Sequence, residues 1–437
     1  MMRNKKIIVS LAAGLTLMAG SALCAAPADT GTAAEPARAV SPFNVWDEWE
    51  AFKKTNVEVA DKGARVIDYS DEKRITTSEG QSYAMFFALT AGERDLFEKL
   101  LRWTEDNLAD GDLTKNAPAW LWGKNVKQVR VTNDDGTVST KTVTAWEVLD
   151  SNNATDSDMW IAYSLLEAGR LWNRPDYTAK GRAMLVVLKS QTRHVRHLGH
   201  VLLPGKVGFE NKKGVLLNPS YYPLFIFKRF AKEDAFFTEV YDASLRAVIR
   251  SAPDGFAPDW ARFDYAGNLV TERDNLGSYN AIRTYMWAAM TAQSDPAYDL
   301  LKKQFSAMID TTMRLRLPPE KVDLNTLKIN RTGPDSFGAC LLAYMDSIAE
   351  DQGEEASYRN DGSRTASFIR TLIAHRTMEP DSYYSNVLSL YAIGFDRRYF
   401  AFAPDGRVLV SGRLNPDLVK PVAKAADADE AKPQEQK

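Results

Sequence analysis

The chain has 437 residues, 45% hydrophobic and 26% charged, which is enough apolar material for one large domain or two to three ordinary ones. Its 55 Lys and Arg against 57 Asp and Glu leave a formal charge of −2, which argues against a nucleic-acid binder and its usual basic excess. The 10 Trp, 17 Tyr and 19 Phe belong mostly to a core. Set near polar motifs, such rings also suit a cleft that receives the flat faces of sugars.

The N-terminus reads as an export signal. Arg3, Lys5 and Lys6 precede an apolar run at 7–19, and small residues follow at 22–26. Residues 1–25 are therefore expected to be a signal peptide cleaved near Ala25, and the mature protein periplasmic or secreted. The run is too short for a comfortable membrane span, so none is expected after removal. Cys24 raises lipidation as an alternative, although Leu23 stands where a lipoprotein signal wants a small residue. Without the signal, Cys340 is the one remaining cysteine, which leaves no intramolecular disulfide and no cysteine metal site. Residues 26–41, rich in Ala, Pro, Thr and Gly, read as a flexible leader. Residues 415–437 read as a disordered tail, and 42–414 as one folded domain.

Helical periodicity dominates that domain. Helices are predicted to begin near residues 43, 79, 93, 157, 176, 221, 236, 278, 296, 335, 362 and 381. One hairpin is predicted at 126–144, where Val and Thr alternate around Asp134-Asp135-Gly136-Thr137. His194, His197 and His200 recur at spacings of three, a helical or metal-like pattern. The residues between them bring no carboxylate, and no metal or cofactor is expected.

The even-numbered helices each start on a polar or aromatic motif. These are Ser78-Glu79-Gly80-Gln81-Ser82-Tyr83, Thr155-Asp156-Ser157-Asp158, Asn218-Pro219-Ser220-Tyr221-Tyr222, Ser278-Tyr279-Asn280, Pro334-Asp335-Ser336-Phe337 and Asp381-Ser382-Tyr383-Tyr384. Capping explains the Ser, Asp and Asn but not the aromatics. Several of these helices are apolar nearly all round, as at Met85-Phe86-Phe87-Ala88-Leu89, so they should be buried. Buried helices alternating with amphipathic ones fit an all-α fold, an (α/α)6 barrel with a small β-hairpin insertion. Alternation would bring the six inner N-termini, and their motifs, to one end.

Glycoside hydrolysis needs two carboxyl groups, one to protonate the leaving oxygen and one to activate water or attack directly. Candidates at that end are Glu79, Asp156, Asp158, Asp335 and Asp381. Glu79 precedes an apolar helix, where partial desolvation would raise its pKa toward that of a general acid. A Glu at a helix start is also an ordinary partner for the helix dipole.

The run Ile75-Thr76-Thr77-Ser78-Glu79-Gly80-Gln81-Ser82-Tyr83 resembles the glutamate motif of family 8 glycoside hydrolases. Ala154-Thr155-Asp156-Ser157-Asp158, with Ile161-Ala162 and Leu165-Leu166, resembles that family's signature helix. Asn218-Pro219-Ser220-Tyr221 and Ser278-Tyr279-Asn280-Ala281-Ile282-Arg283 are further matches. Within the family the chain is most similar to the periplasmic endoglucanases that accompany bacterial cellulose synthase. Pro118-Ala119-Trp120-Leu121-Trp122-Gly123-Lys124, Trp146-Glu147-Val148-Leu149-Asp150-Ser151, Leu203-Pro204-Gly205-Lys206-Val207-Gly208-Phe209 and Pro258-Asp259-Trp260 resemble that branch. The resemblance implies an inverting endo-attack on β-1,4-glucan without a metal, and contact with the synthase machinery as an open question. It makes Glu79 the proton donor and Asp156 either a catalytic carboxylate or a partner of the sugar at the cleavage point. It sets Asp158 among the substrate-binding residues, Tyr221 on the water, Trp122 on a glucose ring, and Arg283 beside the carboxylates.

One departure matters. Many members of the family carry Asp, assigned as general base, where this chain has Asn280. A neutral amide orients water but does not accept its proton. Three readings stay open. The base is Asp156 or another acid such as Asp264 or Asp274; or the protein is weak and mainly binds glucan; or the Asn is an introduced inactivating change.

Overall fold

The computed structural model describes residues 46–134, 136–273 and 275–412. The expected signal, leader and tail lie outside the described residues. Thirteen helices occur among these residues, against the twelve predicted. In order they are α1 (Asp47–Asn56), α2 (Ser78–Ala91), α3 (Arg94–Leu108), α4 (Thr155–Trp172), α5 (Pro175–Ser190), α6 (Leu224–Ala231), α7 (Phe236–Ser251), α8 (Ala281–Met290), α9 (Pro296–Gln304), α10 (Ser306–Leu315), α11 (Asp335–Glu350), α12 (Ala356–Ala374) and α13 (Tyr383–Asp396).

The extra helix comes from a break at Phe305. Its ring is fully buried and meets Tyr285 edge-on at 4.9 Å, so the anchor interrupts the helix that periodicity runs through from 296. The sixth helix starts three residues later than predicted. Pro219 and Pro223 lack the N–H groups a continuous helix would use, and 219–221 form a single 3-10 turn capped by Asn218.

Six helices form an inner ring. α2 packs on α4, α4 on α6, α8 on α11 and α11 on α13. Phe225 of α6 meets Trp287 of α8 at 6.4 Å, and Tyr391 of α13 stacks on Phe86 of α2 at 5.5 Å, which closes the ring. The remaining helices wrap it as an (α/α)6 barrel. Burial follows the pattern. α2 is buried without interruption from Gly80 to Thr90, whereas α3 buries only Phe97, Leu100, Leu101, Thr104 and Leu108, one stripe of a 3.6-residue period. Trp160 lies at the centre, 4.9 Å from Phe86, 5.2 Å from Tyr391 and 5.3 Å from Trp287.

The core is closed by the antiparallel strands Phe400–Phe402 and Val408–Val410. Phe402 stacks on Phe225 at 3.8 Å. The fully buried Glu167 of α4 accepts from the Val408 N–H at 2.8 Å and from Arg229 Nε at 2.6 Å, so the strand pair is pinned by a compensated charge. Its turn needs glycine. Gly406 has φ +85°, and a Cβ there would lie 2.1 Å from the Phe225 carbonyl oxygen.

The inserted hairpin is longer than predicted. Leu121–Thr132 pairs with Val138–Asp150, and the short strand Thr76–Thr77 joins at its base. Several short hairpins were not foreseen. Thr192–Val195 pairs with Gly199–Leu202, which places His194 opposite His200 and His197 in the turn at φ 62°. The histidine spacing is therefore that of a hairpin. Among the described residues no group of three potential ligands gathers.

Candidate active site

The six inner N-termini meet at one end, and the first turns of α2, α4 and α8 contribute a buried charge cluster. The Thr77 hydroxyl caps α2 by accepting the Gly80 N–H at 3.0 Å, and the Ser78 N–H bonds to the Trp120 carbonyl oxygen at 3.0 Å. These contacts fix the turn that carries Glu79. From α8, Arg283 crosses the ring. Its Nη1 donates to Glu79 Oε2, to Asp156 Oδ2 at 3.1 Å and to the Tyr83 hydroxyl at 3.0 Å. Its Nη2 donates to Asn280 Oδ1 at 3.0 Å. Asn280 Oδ1 also accepts from Asn218 Nδ2 at 3.1 Å, while the side-chain Nδ2 of Asn280 has no hydrogen-bond partner among the described residues.

Glu79 keeps a partly open side chain, 20% exposed, and accepts from the Tyr383 hydroxyl at 3.2 Å. Burial, reinforced by the Asp156 charge, lifts its carboxyl above the ordinary range, against the opposing pull of Arg283. A proton held there survives to higher pH than on a free glutamate. Asp156 is 3% exposed, and burial raises its carboxyl as well. Its Oδ1 accepts from the Ser157 N–H at 2.7 Å and the Ser157 hydroxyl at 3.2 Å, so both of its oxygens are engaged. Glu79 and Asp156 thus share one guanidinium nitrogen, and neither Asp156 oxygen is left free. Position 280 sits on the other guanidinium nitrogen, Nη2.

The Tyr221 ring lies 5.6 Å from the Arg283 guanidinium, and its hydroxyl has no hydrogen-bond partner among the described residues. Beyond it, Trp260 stacks on Phe209 at 5.7 Å and is 37% exposed, an aromatic rim built from two of the quoted motifs.

Two expected substrate contacts are placed elsewhere. Asp158 lies two residues after Asp156, about 200° round the helix, so it points away from the cluster. Its Oδ2 accepts from Asn153 at 2.6 Å, and burial pushes its carboxyl up to about 8. It supports the loop beneath the rim, because Asn153 Oδ1 in turn accepts the Lys206 N–H at 2.9 Å. Trp122 stacks on Trp146 at 5.3 Å, meets Trp103 edge-on at 5.2 Å and lies 5.0 Å from Arg65. One face of its ring is thus spent on Trp146 at the hairpin base.

Among the other candidates, Asp335 pairs with Arg376 at 2.7 Å and Asp381 is exposed. Neither joins the cluster. Asp264 is held by the Asn268 N–H at 2.8 Å and Asn268 Nδ2 at 2.9 Å in an exposed turn, and Asp274 lies outside the described residues. The sequence reading assigned no role to Tyr83, Tyr383, Asn218 or Asp259, although all four stand inside motifs it quoted.

A barrel of this kind, with two carboxyl groups and an arginine gathered among aromatic rings at one end, is the arrangement of a glycoside hydrolase. The chain belongs to the glycosyl hydrolases family 8, whose model matches residues 34–398. It is 40% identical over 368 residues to an endoglucanase of Escherichia coli O157:H7, covering 83% of this chain and 90% of that one. It is 35% identical over 419 residues to an endoglucanase of Xanthomonas axonopodis pv. citri (strain 306), covering 94% and 98%. The crystal structure of endo-1,4-D-glucanase from Vibrio fischeri ES114 superposes with a TM-score of 0.72 at 38% identity, covering 84% of this chain and 99% of that one. No helix among the described residues is long and apolar enough to cross a membrane.

Proposed function

We propose that this enzyme is an endo-1,4-β-glucanase that cleaves internal bonds of cellulose chains with inversion. The observation that carries the reading is the raised, half-open carboxyl of Glu79 held against Arg283 at the aromatic end of the barrel. Glu79 protonates the leaving oxygen, and Asp156 fixes Arg283 and the sugar at the cleavage point. Tyr221 lends its free hydroxyl to the water, and Trp260 with Phe209 receives a ring farther along the chain. The similarity to bacterial endoglucanases supports the substrate. Inversion is favoured because both Asp156 oxygens are engaged, by Arg283 and by Ser157, which leaves none free to attack the sugar. The export signal supports action in the periplasm or outside the cell. There an endoglucanase of this branch would trim glucan during cellulose synthesis and export, in contact with the synthase machinery.

A reducing-sugar assay on a soluble cellulose derivative, with Glu79→Gln as control, tests the activity. The first-formed anomer, followed by NMR, tests the stereochemistry. An α product fits inversion, and a β product would make Asp156 a nucleophile. A second reading rests on Asn280, whose amide stands where relatives place a base. On that reading the protein is weakly active or noncatalytic and binds cellulose as an accessory. Oligosaccharide binding without measurable turnover would favour it.

A further inference from the structure

With an amide at position 280, a hydrolase needs its base elsewhere in the same cleft. Asp156 has both oxygens engaged by Arg283 and Ser157, Asp158 faces away, and Asp264 and Asp335 are engaged at a distance from the cluster. Among the described residues two carboxylates lie beside the first turn of α8, and one of them, Glu320, is committed to Arg331, Asn330 and the Tyr279 hydroxyl. Asp259 lies on the segment between α7 and the strand Ala261–Phe263, and its Oδ1 accepts the N–H groups of Ser278, Asn280 and Ala281 at 2.9, 2.9 and 2.8 Å. Its carboxyl is thus pinned against the turn from which residue 280 reaches Arg283. Its Oδ2 has no hydrogen bond among the described residues, and the side chain is half-buried. The next residue, Trp260, belongs to the aromatic rim.

We propose that Asp259 is the general base of this chain, Oδ2 taking the proton of the attacking water in place of residue 280. The inference rests on the β-glucanase reading above. Water oxygen bonds to the anomeric carbon as the bond from that carbon to the leaving O4 breaks. The electron pair stays on O4, which receives the Glu79 proton. The surplus water proton goes to Asp259 and returns through solvent to Glu79 once the products leave. Burial holds the Asp259 carboxyl above its ordinary range, although its three N–H bonds and Arg283 oppose the rise. The other titratable groups that sense it are Tyr285 and Tyr384, which stay neutral well past physiological pH.

The test is a cycle of Asp259→Asn and Asn280→Asp, singly and together, assayed on cello-oligosaccharides. Asparagine retains an oxygen for the three capping N–H groups, so the helix start survives, and thermal melting verifies it. In the native background Asp259→Asn is expected to lower kcat by at least about 100-fold, the lower end for loss of a general base. With Asp supplied at 280, the same change is expected to cost less than about tenfold. Azide, an anionic nucleophile that needs no base, is expected to restore bond cleavage to Asp259→Asn and yield the α-glycosyl azide. Equal losses in both backgrounds, or no azide product, would show that Asp259 only caps the helix. Hydrolysis by Asn280→Asp but not by the native chain would overturn the proposal and leave the glucanase reading standing. No hydrolysis by any of the four proteins would remove both.

Discussion

Glu79 and Asp156 hold the same nitrogen of Arg283, so the proposed proton donor and the carboxylate at the start of α4 form one buried unit. A change at either residue is read by the other through that shared guanidinium.

Glu79→Gln is expected to lower hydrolysis by about 100-fold or more while cello-oligosaccharide binding persists. The amide keeps the size and polarity of the side chain and loses the transferable proton. Turnover within twofold of the native enzyme would remove Glu79 from the mechanism. Calorimetric titration of the inactive variant would show whether binding survives.

The pH profile has a defined sign. The donor works only when protonated, and Glu79 is raised by burial and then by the Asp156 charge. Activity therefore falls on the alkaline side as Glu79 ionises. Asp156→Asn removes the charge that favours the protonated form, so the alkaline limb of kcat/KM is expected to move to lower pH. A limb that stays in place or moves upward would mean that another group sets it.

Asn280→Asp is expected to raise endoglucanase activity at least about tenfold, roughly 1.4 kcal/mol of transition-state stabilisation. It puts a carboxylate on the Nη2 side of Arg283. Because both Asp156 oxygens are engaged by Arg283 and Ser157, Asp156→Asn should cost about the same with Asn or Asp at 280. A severe loss in the native chain and a mild one in the Asp background would restore Asp156 as the base.

Trp122→Ala is expected to lower stability by about 2 kcal/mol, from lost apolar burial and ring stacking. Its effect on binding should be similar for short and long cello-oligosaccharides. Trp260→Ala should instead weaken the longer chains preferentially in a protein with an unchanged melting temperature. The opposite pattern in the two variants would return Trp122 to the sugar-binding surface.

Much of this was legible in the sequence because inner and outer helices obey different burial rules. Met85-Phe86-Phe87-Ala88-Leu89 has no polar face and had to be inside, and the polar starts of such helices had to share an end. What escaped were features decided by contacts distant in the chain. Phe305 breaks a helix because Tyr285 holds it, and periodicity over a short window does not see Tyr285. Asp158 looked equivalent to Asp156, and only the turn of the helix separates one that meets Arg283 from one that meets Asn153. Trp122 lost its expected face to Trp146, a cross-strand neighbour set by the hairpin register. Asp259 passed as a branch motif because its three N–H partners lie about twenty residues on, at the start of another helix.

The strand pair that closes the core has a consequence for biosynthesis. Phe400 and Phe402 complete an aromatic cluster whose other members come from α2, α4, α6 and α13, and Glu167 finds its Val408 partner only then. A chain emerging N-terminus first holds every residue of the charge cluster well before it holds its own stopper. Until residue 408 is out, the inner helices have an open apolar end, and Glu167 has only Arg170 and Arg229 as partners. The nascent protein is thus a poor substrate for its own premature folding, and ribosomes stalled short of the final strands would release chains that chaperones and proteases recognise by that uncovered ring of aromatics.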